Sequence, residues 1–243
     1  MEKDLSEVKR EIEFLEQGLL TYWEKIAASR WGIYVSEIEK ETILKAHQII
    51  GATNTALEVG CEGGRWSKLL LDLGWNMICT DVDKNNLEIC KNRMPTAKCI
   101  LTNMDDKTLP SETASLSLIL CIEVYPVIES EWFLTEAHRV LTNKGVVVGV
   151  FLNRHSLRGL FVNIREKLRK KDRFIHYQLS YSFWKKRMFN NNFRVLYERG
   201  FCWFPFPRAS NSYFIRIFTF IESVLHLGKL VNISPWIIFI AQK

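Results

Sequence analysis

From residue 55 onward, short apolar runs alternate with stretches whose apolar positions recur every three or four residues. The runs are Ala56–Val59, Met77–Thr80, Lys98–Leu101, Leu116–Ile122 and Val146–Phe151. Between them, Arg65–Leu73, Lys84–Arg93 and Glu131–Leu141 carry the helical period. Nearly continuous apolar strands are buried on both faces. Strands alternating with helices predict a parallel sheet with crossover helices. Pro110 and Gly145 mark loops.

Helical periodicity also precedes this block. Leu5, Val8, Ile12, Leu15, Leu19, Tyr22 and Ile26 place an apolar seam on a helix over residues 4–28, and a second helix runs from about Glu37 to Ile50. The seam fits a cap helix packed on its own domain, and it also fits a coiled-coil homodimer. After residue 151 the rhythm breaks into a basic, partly helical stretch. A helix at Tyr181–Asn190 follows, then a strand near Phe193–Trp203, a helix at Ser212–Leu227 and a strand at Trp236–Ala241. The last two of these seven strands are expected to pair antiparallel. The expected fold is α/β: a doubly wound, seven-stranded, mostly parallel sheet with helices on both faces, N-terminal cap helices and a basic lid inserted after strand five. The corresponding division is a helical cap (1–50), a core (51–151), a basic lid or substrate segment (152–192), and C-terminal strands and helix completing the sheet (193–243).

Composition narrows the function classes. The chain has 243 residues, 47% hydrophobic and 25% charged, which suits a globular domain with its own core. The six cysteines form no CxxC pair and have no histidines clustered near them, so no metal site is expected. They read as free thiols in a reducing, cytoplasmic protein. No apolar leader opens the sequence and no run reaches 18 apolar residues. Tyr213–Ile240 comes nearest, interrupted by Arg216, Glu222, His226 and Lys229. Charge is split unevenly. Residues 1–150 hold 16 Lys/Arg against 23 Asp/Glu, a net of −7, and residues 151–243 hold 17 against 4, a net of +13.

The stretch ALEVGCEGGRWSKLLLDLGWNMICTDVD carries the chemistry. A strand ends at Val59, Gly60, Gly63 and Gly64 make a tight turn, and a helix opens near Arg65. Glycines let a ligand approach the backbone, and a helix start favours negative charge. Asp81, at the end of the next strand, is placed to accept ribose hydroxyls. NAD, FAD or S-adenosylmethionine (SAM) all fit this spacing. Glu62 would repel a pyrophosphate and disfavours NAD; SAM has none.

These motifs resemble the class I SAM-dependent methyltransferases, specifically the small-molecule branch called type 11. The family's landmarks fall in order over residues 55–151. They are Glu58 before Gly60–Gly64, then Asp81, then Asp105 four residues ahead of Leu109-Pro110. The strand Leu116–Cys121 running into Ile122-Glu123-Val124 is next, and Glu136, Arg139-Val140-Leu141 and Gly145 close the set. Two positions depart. Glu62 replaces a glycine, which is acceptable if it keeps negative φ, and Ser117 replaces an aspartate early in strand four. The resemblance implies that Glu58 orients the loop and the methionine ammonium, and that Gly60 and Gly64 lie against SAM. It implies that Asp81 holds the ribose with Val82 on the adenine, that Asp105 and the Asp106 N–H face the adenine edge, and that Cys121 and Ile122 line the methionine side. Tyr34 is the preferred aromatic cover for that end, from a set that also includes Tyr22, Trp23, Trp31, Tyr177, Tyr181, Trp184, Trp203 and Phe204; core packing is the plainer role for any of these.

Methyl transfer from a sulfonium needs alignment more than a strong base. Base candidates are His155 after strand five, His176 in the lid, and Glu123 after strand four; a loop or surface role is open for each. His47, His138 and His226 read as packing or surface residues. The expected activity is in-line methyl transfer to a small, anionic acceptor. An RNA methyltransferase, a methylase of a lipid-linked or phosphorylated intermediate at a membrane surface, and a non-enzymatic SAM-binding scaffold are the alternatives. The basic C-terminal half suits membrane contact, and nucleic acid is disfavoured because strand four ends in CIEVYP.

Overall fold

The computed structural model describes residues 20–169 and 176–243. Most of the seam predicted for a helix over residues 4–28 therefore lies outside the described residues, as do Lys170, Lys171 and Arg173 of the basic segment. The described part corrects that helix. Thr21 is extended and caps a new short helix, α1 (Tyr22–Ala27), in a reciprocal capping box with Glu24. Ser29 then accepts from the Gly32 N–H and starts α2 (Arg30–Ile50), seven residues earlier than predicted. The turn between α1 and α2 is tight: a Cβ on Gly32 would lie 2.0 Å from the Ile26 carbonyl oxygen.

The predicted alternation follows: β1 (Thr55–Val59), α3 (Arg65–Asp72), β2 (Asn76–Asp81), α4 (Lys84–Arg93), β3 (Lys98–Leu101), β4 (Leu116–Cys121), α5 (Tyr125–Ile128), α6 (Glu131–Val140) and β5 (Leu141–Leu152). Then come α7 (Leu157–Arg169), α8 (Tyr181–Asn190), β6 (Arg194–Phe201), α9 (Phe214–Val224), a 3₁₀ turn at Leu227–Lys229 and β7 (Trp236–Gln242). Gly145 lies inside β5 rather than in a loop. The register against β4 jumps from Leu116–Leu141 to Leu118–Val146, so residues 142–145 bulge within the strand.

The strands form one mixed sheet in the order β3-β2-β1-β4-β5-β7-β6, parallel except for β7, which runs antiparallel between β5 and β6. Strand alternation feeds two cores. Leu118, Leu120, Val146 and Val148 face α2, α3 and α4, while Leu57, Ile119, Cys121 and Val147 face α5, α6 and α8. Strand order reverses between β1 and β4, which opens a crevice at their carboxyl ends. No helix among the described residues is long and apolar enough to cross a membrane.

Candidate active site

Gly60 and Gly64 both take positive φ, +67° and +79°. A Cβ on Gly60 would lie 2.6 Å from Val124 Cγ2, and one on Gly64 would lie 2.4 Å from Met94 Cε. Only glycine lets the turn follow this path without displacing the loop after β4. Glu62 does not keep the negative φ expected of it: it sits at +50°. It is held there at both ends. Its N–H donates to Asp81 Oδ2 at 2.8 Å, and its own carboxylate accepts from the Trp23 N–H at 3.0 Å. Asp81 Oδ1 accepts from the Asp83 N–H at 2.9 Å. Asp81 thus fastens the Gly-rich turn to the end of β2.

Glu58 is buried beneath this turn. Its Oε2 accepts from the Ser67 N–H at 2.8 Å and from the Ser67 hydroxyl at 2.5 Å, tying β1 to the first turn of α3. Burial pushes its carboxyl up to about 8, against the pull of the Ser67 bonds. From outside, Arg93 pairs with Glu24 and donates to the Gly63 carbonyl at 2.9 Å, so residues 21–24 are bound onto the turn.

Beyond β2 and β3, Val82, Leu101 and Met104 expose apolar surface. Asp105 is exposed beside them. The Asp106 N–H, expected to face a ligand ring, instead donates to the Asn103 carbonyl at 3.1 Å, while Asp106 Oδ2 accepts from the Asn103 N–H; a closed turn consumes it. Cys121 also differs from expectation, because strand alternation turns its side chain into the core between Ile119 and Ile128, while Ile122 packs on the opposite face. Tyr34 faces the C-terminal region. Its hydroxyl donates to Glu222 at 2.8 Å and accepts from the Cys202 N–H at 2.9 Å, beside Trp31 and Phe204.

After β4, Glu123 takes a left-handed φ of +58°, a conformation that non-glycine residues adopt mainly where surroundings impose it. Its carboxylate lies 3.7 Å from Arg208 and meets the buried Glu39 carboxyl. Burial raises both carboxyls, and Glu39 goes up further because Glu123 lies beside it; Arg65, 3.3 Å from Glu39, opposes that shift. The Arg208 guanidinium sits over the rings of Trp23 and Trp236 at 4.7 and 5.5 Å. His176 meets Tyr125 edge to face at 5.7 Å; burial, then Arg208, lowers its pKa and favours the neutral ring. Glu39, Glu123 and the Tyr125 hydroxyl form one buried side-chain cluster.

Residues 57–149 match the family model described as a methyltransferase domain. The chain therefore carries a methyltransferase domain from β1 to β5. Similar solved structures span most of it. A SAM-dependent methyltransferase of Methanosarcina mazei shares 13% identity over 81% of this chain and 95% of its own, with a TM-score of 0.58. One from Mesorhizobium loti shares 12% over 84% and 96%, with a TM-score of 0.59. A geranyl diphosphate methyltransferase, solved with its diphosphate and sinefungin, shares 13% over 84% and 77%, with a TM-score of 0.57. No curated protein sequence matches the chain.

Within this fold the three base candidates separate. Glu123 and His176 both lie beside Tyr125 and Arg208, whereas His155 is exposed in the turn after β5, its N–H donating to Asn153 Oδ1 at 3.1 Å. His47 accepts from Trp75 Nε1 at 3.1 Å, and His138 packs on Phe193. Of the aromatic set, Tyr181 and Trp184 are core residues packed on Phe151. Three contributors went unread in the sequence. Glu39 sits on a helix where its apolar neighbours dominate the pattern, and Arg208 lies far along the chain in a loop. Asn153 is a buried hub: it donates to the Asn232 carbonyl at 2.8 Å and accepts from the His155 and Tyr181 N–H groups. Cys61, Cys79 and Cys90, which sequence spacing kept apart, place their sulfurs within 4.8 Å of one another inside the core.

Proposed function

We propose that this methyltransferase acts on a small anionic acceptor seated between Glu123, Tyr125, His176 and Arg208. SAM fits the residues on the cofactor side. The absent Cβ atoms of Gly60 and Gly64 leave a backbone cradle, Asp81 stands at the end of β2 for the ribose, and Val82 with Leu101 and Met104 offers an apolar shelf for the adenine. Asp105 remains the candidate for the adenine amino group. Glu58, beneath the turn, orients it and favours the ammonium of the methionine end. SAM supplies an electrophilic methyl group; the protein's part is to hold and align the acceptor.

The observation that carries the acceptor reading is Arg208 at the end of β4, whose guanidinium lies 3.7 Å from Glu123 and over the faces of Trp23 and Trp236. Burial raises the Glu39 and Glu123 carboxyls toward the neutral form, which favours an anionic group beside Arg208. An acceptor carboxylate or phosphate takes up Arg208 over the indole faces, and Glu123 and the neutral His176 are placed to accept a proton from the acceptor's nucleophile. The geranyl diphosphate enzyme shows that this fold can admit an anionic acceptor. The test is SAM consumption against anionic and neutral metabolite pools. Glu123→Gln should lower turnover by about 10²-fold with SAM affinity unchanged. Arg208→Met should raise KM for the anionic acceptor. Turnover of neutral acceptors alone, insensitive to both substitutions, would defeat the assignment.

A further inference from the structure

The apolar stripe of a surface helix normally faces the core. In α7 it faces out. Leu157, Leu160, Phe161, Ile164 and Leu168 follow one another at steps of three, one, three and four, which puts them on one face. Phe161 is 66% exposed and Ile164 60%. The opposite face, with buried Gly159 and half-buried Val162 and Asn163, is the one that meets the protein. Asn163 fastens it there by donating to the Tyr177 carbonyl at 3.0 Å. Arg165 and Lys167, both exposed, fall about 80° to either side of the stripe's centre at the helical turn of about 100° per residue.

α9 repeats the arrangement. Tyr213, Ile217, Phe220 and Val224 recur at steps of four, three and four; Phe220 is 68% exposed, and Arg216 flanks the row. Its buried side holds Ile215, Phe218 on Phe204, and Glu222 bonded to Tyr34. Val162 of α7 and Ile215 of α9 pack into the same core cluster, and each helix leaves an apolar row outside it, more than ordinary surface scatter.

We infer that the outward faces of α7 and α9 dock on an anionic lipid bilayer. An apolar stripe edged by Lys and Arg is the arrangement of a helix lying in the membrane interface. There, aliphatic and aromatic side chains enter the acyl boundary while cations meet phosphate headgroups. Charge complementarity selects this occupant, since residues 151–243 carry a net of +13. Nucleic acid accounts for the cations but not for Leu157, Leu160 and Ile164 between them. Neither helix is a candidate span, so the contact lies on the membrane and not through it. Both helices are reached directly from the crevice: α7 begins five residues after β5 ends, and α9 begins six residues after Arg208.

The experiment is co-sedimentation of the full chain with vesicles of phosphatidylglycerol mixed with phosphatidylcholine, and with phosphatidylcholine alone. The full chain should sediment with the anionic vesicles only. Phe161→Ser with Ile164→Ser, and separately Ile217→Ser with Phe220→Ser, should weaken binding about tenfold or more. Arg165→Ser and Lys167→Ser should each weaken it about fivefold. These side chains are exposed, so circular dichroism and SAM affinity should be unchanged and will separate lost docking from lost folding. Absence of sedimentation would overturn the inference, as would equal binding to neutral vesicles. So would a homodimer by light scattering that the apolar substitutions dissociate, or RNA binding that survives them while vesicles are ignored. Sedimentation itself uses neither SAM nor acceptor, so its failure leaves the methyl-transfer reading standing.

Discussion

The two sides of the β1–β4 crevice handle buried polar groups in opposite ways. On the Gly-rich side the acids are already engaged: Glu58 with Ser67, Asp81 with the Glu62 and Asp83 N–H groups, Glu24 with Arg93. On the β4 side, Glu39, Glu123 and Tyr125 are buried against one another, with Arg65 and Arg208 as counter-charges. The difference separates a rigid cradle, fastened by backbone N–H groups, from a cluster of titratable side chains.

Breaking the rigid side should produce the largest effect. Asp81→Ala frees the Glu62 and Asp83 N–H groups and removes the proposed ribose acceptor together. SAM affinity should fall about ten- to a hundredfold, the equivalent of roughly 1.5–3 kcal/mol for bonds to a charged group. Titration calorimetry checks this, with NAD as a ligand expected not to compete. Unchanged affinity would remove Asp81 from the binding site.

Glu58 sharpens the comparison through pH. Its folded carboxyl titrates at about 8, above the ordinary carboxylate value of 4.5, because burial disfavours the charge. The folded state therefore prefers the protonated form. The stability it contributes is full below 4.5 and is lost as pH rises through about 8. The melting temperature of the ligand-free protein should fall over this window, and Glu58→Gln, which can still accept from Ser67, should flatten the fall. If the methionine ammonium lies near Glu58, SAM should release a proton on binding, and its affinity should rise with pH by up to about tenfold per unit. Calorimetry in buffers of different ionisation enthalpy reads that proton; no release would place the ammonium elsewhere.

A smaller effect tests the open side. His176→Gln should lower turnover several-fold while SAM affinity holds, because the ring faces Tyr125 and lies near Arg208. His155→Gln should leave turnover unchanged. The His176 ring stays neutral below the ordinary histidine value, so the acid limb of the pH–rate profile should lie below it and vanish in His176→Gln. Equal loss in both variants would show that the exposed turn after β5 matters as much as the crevice.

Legibility followed the same division. Strand positions β1, β2 and β4 were readable because buried parallel strands leave continuous apolar runs. The helix Tyr181–Asn190 was readable from its period and its Asn-Asn stop, and it stands at those residues. The break before α1 was not, since a capping box at Thr21 and Glu24 interrupts a seam whose spacing continues unbroken. The φ of Glu62 was misjudged for a related reason: bonds to Asp81 and Trp23, from segments 19 and 39 residues away, hold a conformation that its local sequence disfavours.

Sequence order alone determined the alternating architecture, the Gly-rich turn and the acid at the end of β2. These rest on local periods and on backbone conformations that only particular residues adopt. Tertiary structure decided which titratable groups meet. Glu39, Glu123, His176 and Arg208 span some 170 positions of the chain and converge only because helix, strand end and loop close over one crevice. It also decided the direction in which two amphipathic helices face. Periodicity places an apolar stripe on a helix, but only packing settles which side turns to the core: in α7 the face of Gly159, Val162 and Asn163 was taken inward, and in α9 that of Ile215, Phe218 and Glu222.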